Sequence, residues 1–403
     1  MNPERIVVIG AGHSGVQLAA SLREGGFQGP LTLVDAQDEL PYQRPPLSKE
    51  FMKGGDCVRL RPASFYIDKQ IELATGRAVA TLDRAATTVT LSDGTTLRYD
   101  HLVLATGARP RRLAVPGAGN NGVMTLHTHA DAARLRPRLA GASDIVIVGA
   151  GFIGLEFASS ARAMGKRVTV VEAGDRIMAR AVSPIMSDFF LARHRASGID
   201  IMTGTGVTAI HGTPGGVTGV SLGGGGMLPA DLVVLGVGVV ANDEIAAGAG
   251  LKTDNGIAVD AMLRTADPRI SAIGDCALHP SRFTGRPTRI ESVQNALDQA
   301  RCVARRLLGE PAPYEALPWF WSDQAGVKLQ IAGIGGEIRD HCLRGDPEAR
   351  SFSVFCLDAR DEAVIVESVN QPADHMSSRR FLGRAPLTRA QAMDPHYNLR
   401  THV

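Results

Sequence analysis

Two stretches of the chain repeat one pattern of apolar and polar positions. Ile6 to Ile9 is a continuous apolar run, a glycine-rich turn follows, Val16 to Leu22 carries apolar residues at helical spacing, and Leu31 to Val34 is a second apolar run. The series restarts at Ile145 to Val148, continues through a helical stretch at Phe157 to Met164, and ends at Val168 to Val171. Short apolar runs bounded by turns fit strands buried on both faces, as in parallel sheets. Two strand–turn–helix–strand series therefore predict an α/β protein with two doubly wound, Rossmann-like domains. Between them, Leu73 to Ala105 alternates short strands with turn signals such as Ser92-Asp93-Gly94, which predicts a hairpin-rich insert. Gly223 to Gly226 reads as a hairpin tip. From Pro318 onward, strand-like runs at Lys328 to Ile331, Phe352 to Leu357 and Ala363 to Val369 precede a polar tail, which predicts a small α+β domain.

Composition narrows the classes. A chain of 403 residues is too long for one core and long enough for two or three domains. Its net charge of +2 gives no whole-chain attraction to nucleic acid, so a charge-steered partner must meet a local patch. The longest apolar run, Leu232 to Val240, is interrupted by Gly236 and Gly238 and falls short of a bilayer span. Ile6 to Ile9 is too short for a signal-peptide core, so a cytoplasmic protein with no membrane partner is expected. Cys57, Cys276, Cys302, Cys342 and Cys356 include no Cys-x-x-Cys spacing, so neither a metal site nor a redox dithiol is predicted.

The glycines carry the first chemistry. Gly10-Ala11-Gly12-His13-Ser14-Gly15 follows a strand and opens a helix. Gly10 permits the tight turn, Gly12 the approach of a pyrophosphate to the backbone, and Gly15 close packing of helix on strand. The phosphates then meet exposed amides at a helix N-terminus. Asp35 closes the second strand, where an acid takes a ribose hydroxyl pair. Gly149-Ala150-Gly151-Phe152-Ile153-Gly154 repeats the fingerprint, and Glu172 ends its second strand. Two dinucleotides are therefore expected. The Glu172 carboxylate would repel a 2′-phosphate, which favours NADH over NADPH; Arg176 and Arg180 nearby oppose that preference.

Further segments resemble the two-dinucleotide flavoprotein reductases. Leu104-Ala105-Thr106-Gly107-Ala108-Arg109-Pro110 looks like the crossover leaving their flavin domain, and Ile270-Ser271-Ala272-Ile273-Gly274-Asp275 like their second flavin motif, whose Asp holds the ribitol chain. The resemblance puts FAD on the first fingerprint and NADH on the second. It implies a discontinuous FAD-binding domain of residues 1–110 and 243–316, an NADH-binding domain of residues 111–242, and a C-terminal α+β domain of residues 317–403. Four segments narrow it: 41–49 (Pro-Tyr-Gln-Arg-Pro-Pro-Leu-Ser-Lys), 151–156, 289–296 (Arg-Ile-Glu-Ser-Val-Gln-Asn-Ala) and 318–324 (Pro-Trp-Phe-Trp-Ser-Asp-Gln). They are similar to the signatures of the FAD-dependent ferredoxin (redoxin) reductases of bacterial oxygenase systems, in order over nearly the whole chain.

That resemblance implies an NADH-dependent reductase that moves electrons through FAD to an acidic two-iron two-sulfur ferredoxin feeding an oxygenase. By the same resemblance Lys49 lies beside the hydride-accepting nitrogen of the flavin and pairs with Glu156, and Trp321 covers the flavin edge. Arg44 would meet FAD phosphate. Val79 and Val293 would contribute backbone contacts to the flavin, and Ala105, Thr106 and Gly107 of the crossover, with Ser14 and Asp275, belong to the FAD motifs. Glu291 is either a flavin-side carboxylate or a salt-bridged acid at a helix start. Ile153 and Gly238 would line the NADH site. The family carries Leu-Arg-Thr where this chain has Leu126-His127-Thr128, so His127 stands in for a flavin-contacting arginine. Arg301, Arg305 and Arg306 follow on one helix and form the candidate ferredoxin-docking patch, Arg301 foremost. Two alternatives are a thiol-dependent flavin oxidase or peroxidase, which needs a cysteine that Leu40 to Lys49 lacks, and a flavin-bound signalling protein resembling apoptosis-inducing factors.

Overall fold

The computed structural model describes residues 4–402. The chain divides into two compact units, one made of residues 4–43, Val58–Arg109 and Val240–Phe320, the other of Arg44–Cys57, Pro110–Val239 and 321–402. The first is built on a five-stranded sheet in the order Ile270–Ala272, His101–Leu104, Ile6–Ile9, Leu31–Val34, Glu72–Ala74, with every pairing parallel. Successive residues of a strand face opposite sides. Ile6 and Val8 therefore join one cluster with Leu18 and Leu22 of the helix His13–Glu24 and Val303 and Leu307 of the helix Val293–Leu307. Val7 and Ile9 face the other way, into a cluster with Val89 and Leu91. Those two come from an antiparallel three-stranded sheet, Val79–Asp83, Thr88–Leu91 and Thr96–Arg98, which is the hairpin-rich insert. The insert is shorter than the stretch that signals it, because both ends, Glu72–Ala74 and His101–Leu104, are strands of the parallel sheet.

The second unit repeats the plan. Its parallel sheet runs Asp200–Met202, Arg167–Val171, Asp144–Val148, Leu232–Leu235, Val123–Thr125. One face is covered by an antiparallel sheet, Val207–Thr213, Gly216–Leu222 and Met227–Pro229, whose Val217, Val220 and Leu222 pack with Val146, Val148 and Val233. The glycines at 223–226 turn between its last two strands. The C-terminal sheet is antiparallel through Val327–Ala332, Ala363–Val369, Ser351–Leu357 and Asp340–Asp346. The polar tail is not irregular: it forms the helices Pro372–Phe381 and Arg389–Met393, the latter started by a capping box of Thr388 and Gln391. The helix Pro184–Ala196 is fastened to this sheet by Phe189, whose ring meets Phe352 edge-on at 4.9 Å. Among the described residues, no helix is long and apolar enough to cross a membrane.

Candidate functional site

In the first unit the fingerprint forms a cradle that only glycines allow. A Cβ on Gly10, whose φ is +107°, would stand 2.2 Å from the Ala105 carbonyl oxygen, and one on Gly15 would stand 2.0 Å from that of Gly10. Gly12 is different: nothing lies within 4 Å of where its Cβ would be. Two glycines are thus there for packing and one leaves open space at a helix start, room of the kind a pyrophosphate needs to reach backbone amides. Asp35 braces the turn, accepting the Ala11 N–H through Oδ2 and the Gln37 N–H through Oδ1, both at 2.9 Å. Its oxygens keep lone pairs for a ribose diol.

Of the other segments expected at FAD, those around Val79, Ala105–Gly107, Asp275 and Glu291–Val293 lie in this same unit. Gly274 packs so closely on buried Ser14 that a Cβ would lie 2.8 Å from Ser14 Oγ, which sets Asp275 beside the fingerprint helix. The Arg289 guanidinium donates to the Asp275 carbonyl at 3.0 Å. Thr106 Oγ1 donates to the Asn242 carbonyl at 2.6 Å, and Asn242 Nδ2 donates back to the Thr106 carbonyl at 2.9 Å, which locks the crossover of Ala105, Thr106 and Gly107. Val79 opens a strand, and Val293 opens a helix capped by Ser292. Glu291 pairs with Arg289 at 2.7 Å and is about half exposed, the arrangement of a salt-bridged acid at a helix start. Gln299, which the sequence did not single out, accepts the Gly274 N–H at 2.7 Å from a fully buried position and holds the Gly-Asp turn in place.

The second unit carries the matching cradle. A Cβ on Gly149 would sit 2.5 Å from the Gly236 carbonyl oxygen and one on Gly154 2.3 Å from that of Gly149, while Gly151 faces open space. Glu172 takes the Ala150 N–H at 2.7 Å and the Gly174 N–H at 2.8 Å, as Asp35 does in its own turn. Ile153 is 46% exposed at the helix start, an apolar surface suited to a flat ligand. Arg176 donates to the Val182 and Ala179 carbonyls and to Ser187 Oγ of its own loop and the following helix. Gly238 has φ of +93°. Arg180 stands beside it: a Cβ on Gly238 would meet Arg180 Nη2 at 3.3 Å.

The same unit brings together residues far apart in sequence. Pro45 and Pro46 start a short 3₁₀ turn, Pro45–Ser48, that delivers Lys49. Lys49 Nζ lies 2.7 Å from Glu156 Oε2, with the lysine side chain 19% and the glutamate 7% exposed. Ser48 Oγ donates to the same oxygen at 2.8 Å, and Ser322 Oγ donates to Oε1 at 2.6 Å. Three donors thus meet one buried carboxylate, and loss of either member of the Lys49–Glu156 pair would leave the other without its counter-charge. Arg44 and His127 Nε2 meet within hydrogen-bond reach. Trp321 is half-buried on the strand Trp319–Gln324.

One expectation changes. Arg301 and Arg305 are exposed, paired with Asp298 at 2.8 Å and Glu310 at 3.6 Å. Arg306 instead turns toward the sheet and donates to Ser271 Oγ at 2.5 Å, and burial pulls its guanidinium down to about 10. The three arginines do not form one outward basic face.

Comparison with known proteins decides the family. Residues 4–300 match the pyridine nucleotide-disulphide oxidoreductase family and residues 319–403 the reductase C-terminal family. Rhodocoxin reductase of Rhodococcus erythropolis is 47% identical over 402 residues, spanning 99% of this chain and 94% of its own. The chain belongs to the FAD-dependent ferredoxin reductases.

Other members of the family agree. Putidaredoxin reductase CamA of Pseudomonas putida is 39% identical over 388 residues, 94% of this chain and 92% of that one. Among solved structures, the ferredoxin reductase for the CYP199A2 system of Rhodopseudomonas palustris superposes with a TM-score of 0.96 at 47% identity, covering 98% of this chain and 99% of that one. The putidaredoxin reductase–putidaredoxin covalent complex gives 0.94 at 38%, covering 98% and 97%. Ferredoxin reductases of this family use FAD and a nicotinamide dinucleotide. Both cradles, each with its open central glycine and acid-braced turn, fit such ligands.

Proposed function

We propose that this ferredoxin reductase takes electrons from NADH and delivers them, through FAD, to a two-iron two-sulfur ferredoxin that feeds an oxygenase. The observation that carries the reading is the match to redoxin reductases along the entire chain, C-terminal region included. FAD supplies the change from two-electron to one-electron chemistry, accepting a hydride and releasing electrons singly. The chain's own residues supply binding and electrostatics. Residues 1–110 and 243–316 hold FAD, residues 111–242 hold NADH, and residues 317–403 form the C-terminal domain.

Gly10, Gly12, Ser14, Gly15, Asp35, Arg44, Val79, Ala105, Thr106, Gly107, His127, Asp275, Val293 and Trp321 serve FAD, and Glu291 reaches it only if its pair with Arg289 opens. Lys49, held by Glu156, places a fixed positive charge at the flavin. Gly149, Gly151, Ile153, Gly154, Glu156, Glu172 and Gly238 serve NADH. The Glu172 carboxylate supports NADH over NADPH. An acidic ferredoxin would meet Arg301, with Arg305 one turn on. The working compartment is the cytoplasm.

The partner is the part to test, since one relative, 40% identical over 370 residues, is named a rubredoxin reductase. Purified yellow protein is titrated with NADH and then coupled to cytochrome c through a panel of two-iron ferredoxins and rubredoxins. Cytochrome reduction that depends on a two-iron ferredoxin supports the reading; turnover with rubredoxin alone replaces the partner, and turnover with thiol or peroxide substrates alone replaces the function.

A further inference from the structure

Glu156 ends a chain of hydrogen bonds whose direction the surrounding chemistry dictates. Behind Ser322 lies Gln324, 3% exposed, whose Nε2 is 3.1 Å from Ser322 Oγ and 3.6 Å from the Met178 sulfur. A thioether only accepts, so the amide nitrogen faces it and the amide oxygen faces away. That oxygen lies 2.8 Å from Nε2 of His194, which is fully buried. Nε2 must therefore carry the imidazole proton. Burial pushes His194 down, toward the neutral ring, and its Nδ1 has no hydrogen-bond partner among the described residues, as an unprotonated nitrogen in an apolar setting would. Ser322 Oγ, accepting from Gln324, has its own proton to give, and the acceptor within reach is Glu156 Oε1.

We propose that His194, Gln324 and Ser322 form a one-way donor chain that positions Glu156 and through it Lys49, and that Ser322 and Gln324 are positioning residues for the flavin-side ammonium. Each donor points toward the carboxylate, so each bond polarises the next in the same sense. The strand Trp319–Gln324 explains how one segment does this. Its side chains alternate, so Ser322 and Gln324 share the buried face while Trp321 and Asp323 take the other. The inference rests on the proposed placement of Lys49 at the flavin only for its catalytic consequence; the link from Ser322 to Lys49 stands on geometry within one unit.

The test uses the yellow holoenzyme and two readouts. The first is acetylation of Lys49 by limiting acetic anhydride, followed by peptide mass spectrometry with Lys252 and Lys328 as internal references. The second is kcat and KM for NADH with ferricyanide. Removing one hydrogen bond to a charged group corresponds to about tenfold in an equilibrium, so Ser322→Ala should raise Lys49 acetylation severalfold against the references and lower kcat with little change in KM. Gln324→Glu, nearly isosteric, offers Ser322 an acceptor and should reproduce that effect, because the hydroxyl then turns away from Glu156. Ser322→Thr keeps the hydroxyl and should restore most of the protection. Unchanged Lys49 labelling in Ser322→Ala, or equal labelling gains at all three lysines that Ser322→Thr fails to reverse, overturns the proposal. If Ser322→Ala does not fold, Gln324→Glu decides by the same criteria. Raised labelling with unaltered kcat upholds the chain and instead removes Lys49 from the flavin.

Discussion

Glu367 should make the stability of this protein fall with rising pH, and the size of the effect can be worked out. The side chain is 1% exposed on the strand Ala363–Val369 and accepts both the N–H and the O–H of Ser183, at 2.7 and 2.6 Å. Ser183 caps the helix Pro184–Ala196, so this contact fastens that helix to the C-terminal sheet. Burial raises the carboxyl to about 7 from an ordinary 4.5, outweighing the pull of the two Ser183 donors and of Arg176. An unfolded chain gives up this proton near the ordinary value and the folded chain near the raised one. Between them the folded state binds more protons, so stability from this group is full below the lower value, falls through the interval and is flat above the upper. At 1.36 kcal/mol per unit the gap corresponds to roughly 3 kcal/mol.

Glu367→Gln isolates that quantity. The amide keeps the volume, its oxygen can accept the Ser183 N–H, and its nitrogen can donate to Ser183 Oγ, as the protonated acid would. The variant should match the parent near pH 5 and exceed it by about 2–3 kcal/mol at pH 8. Thermal unfolding of both proteins across that range, at fixed FAD, measures the difference. Buried histidines such as His279 and His375, both pushed down to about 4, titrate alike in the two proteins and cancel. A difference that does not change with pH, or a variant weaker than the parent at pH 8, would refute the reasoning: the fold would then be built around the ionised carboxylate and its two donors.

Three other perturbations separate packing from binding. Gly151→Ala adds a methyl that meets no atom within 4 Å at φ of −80°, so melting should be unchanged while KM for NADH rises about tenfold or more; Gly154→Ala, with its Cβ 2.3 Å from the Gly149 oxygen, should lose the fold, and equal melts for the two would contradict this. His127→Arg sets a second guanidinium against Arg44, so the apoprotein should lose about 0.5–1 kcal/mol while FAD stabilises the variant more than the parent, and a variant that sheds its flavin would remove His127 from the FAD site. Arg301→Glu should slow ferredoxin reduction severalfold at low salt, converge with the parent at high salt, and leave NADH-to-ferricyanide turnover intact; equal loss of both rates would end the docking role.

The readable parts of this fold are those whose requirements are local. Gly10, Gly15, Gly149 and Gly154 each answer to a backbone oxygen within a few residues or on the adjacent strand, and the strand runs that lead into them are buried on both faces, so period and composition suffice. Arg306 was readable too. It lies about 140° around the helix from Arg301, near the stripe of Ala300, Val303, Ala304 and Leu307, whereas Arg305 lies only about 40° away. That wheel sets Arg306 apart from the other two arginines. The helix Pro372–Phe381 gave weaker warning, because it buries His375, Ser377 and Ser378, and polar residues facing inward cancel the apolar period that marks a surface helix.

The least readable residues are the buried polar ones: Gln299, Ser322, Gln324 and Glu367. Each looks like a surface residue until its partner is known, and the partners of three lie more than a hundred residues away: Glu156 from Ser322, His194 from Gln324, Ser183 from Glu367. Yet Ser322 and Gln324 sit in the segment that most specifically resembles this family, where the tryptophans draw the eye. Strand alternation ties the two sets together, since a residue inserted or deleted in Trp319–Gln324 would swap its faces, turning Trp321 inward and the two Glu156-side donors outward. The spacing Trp-Ser-Asp-Gln is therefore a joint constraint. An aromatic ring on one face can be displayed only while the other face keeps Glu156 supplied with donors, and that coupling makes the order of these four residues, more than their identity one by one, the informative feature.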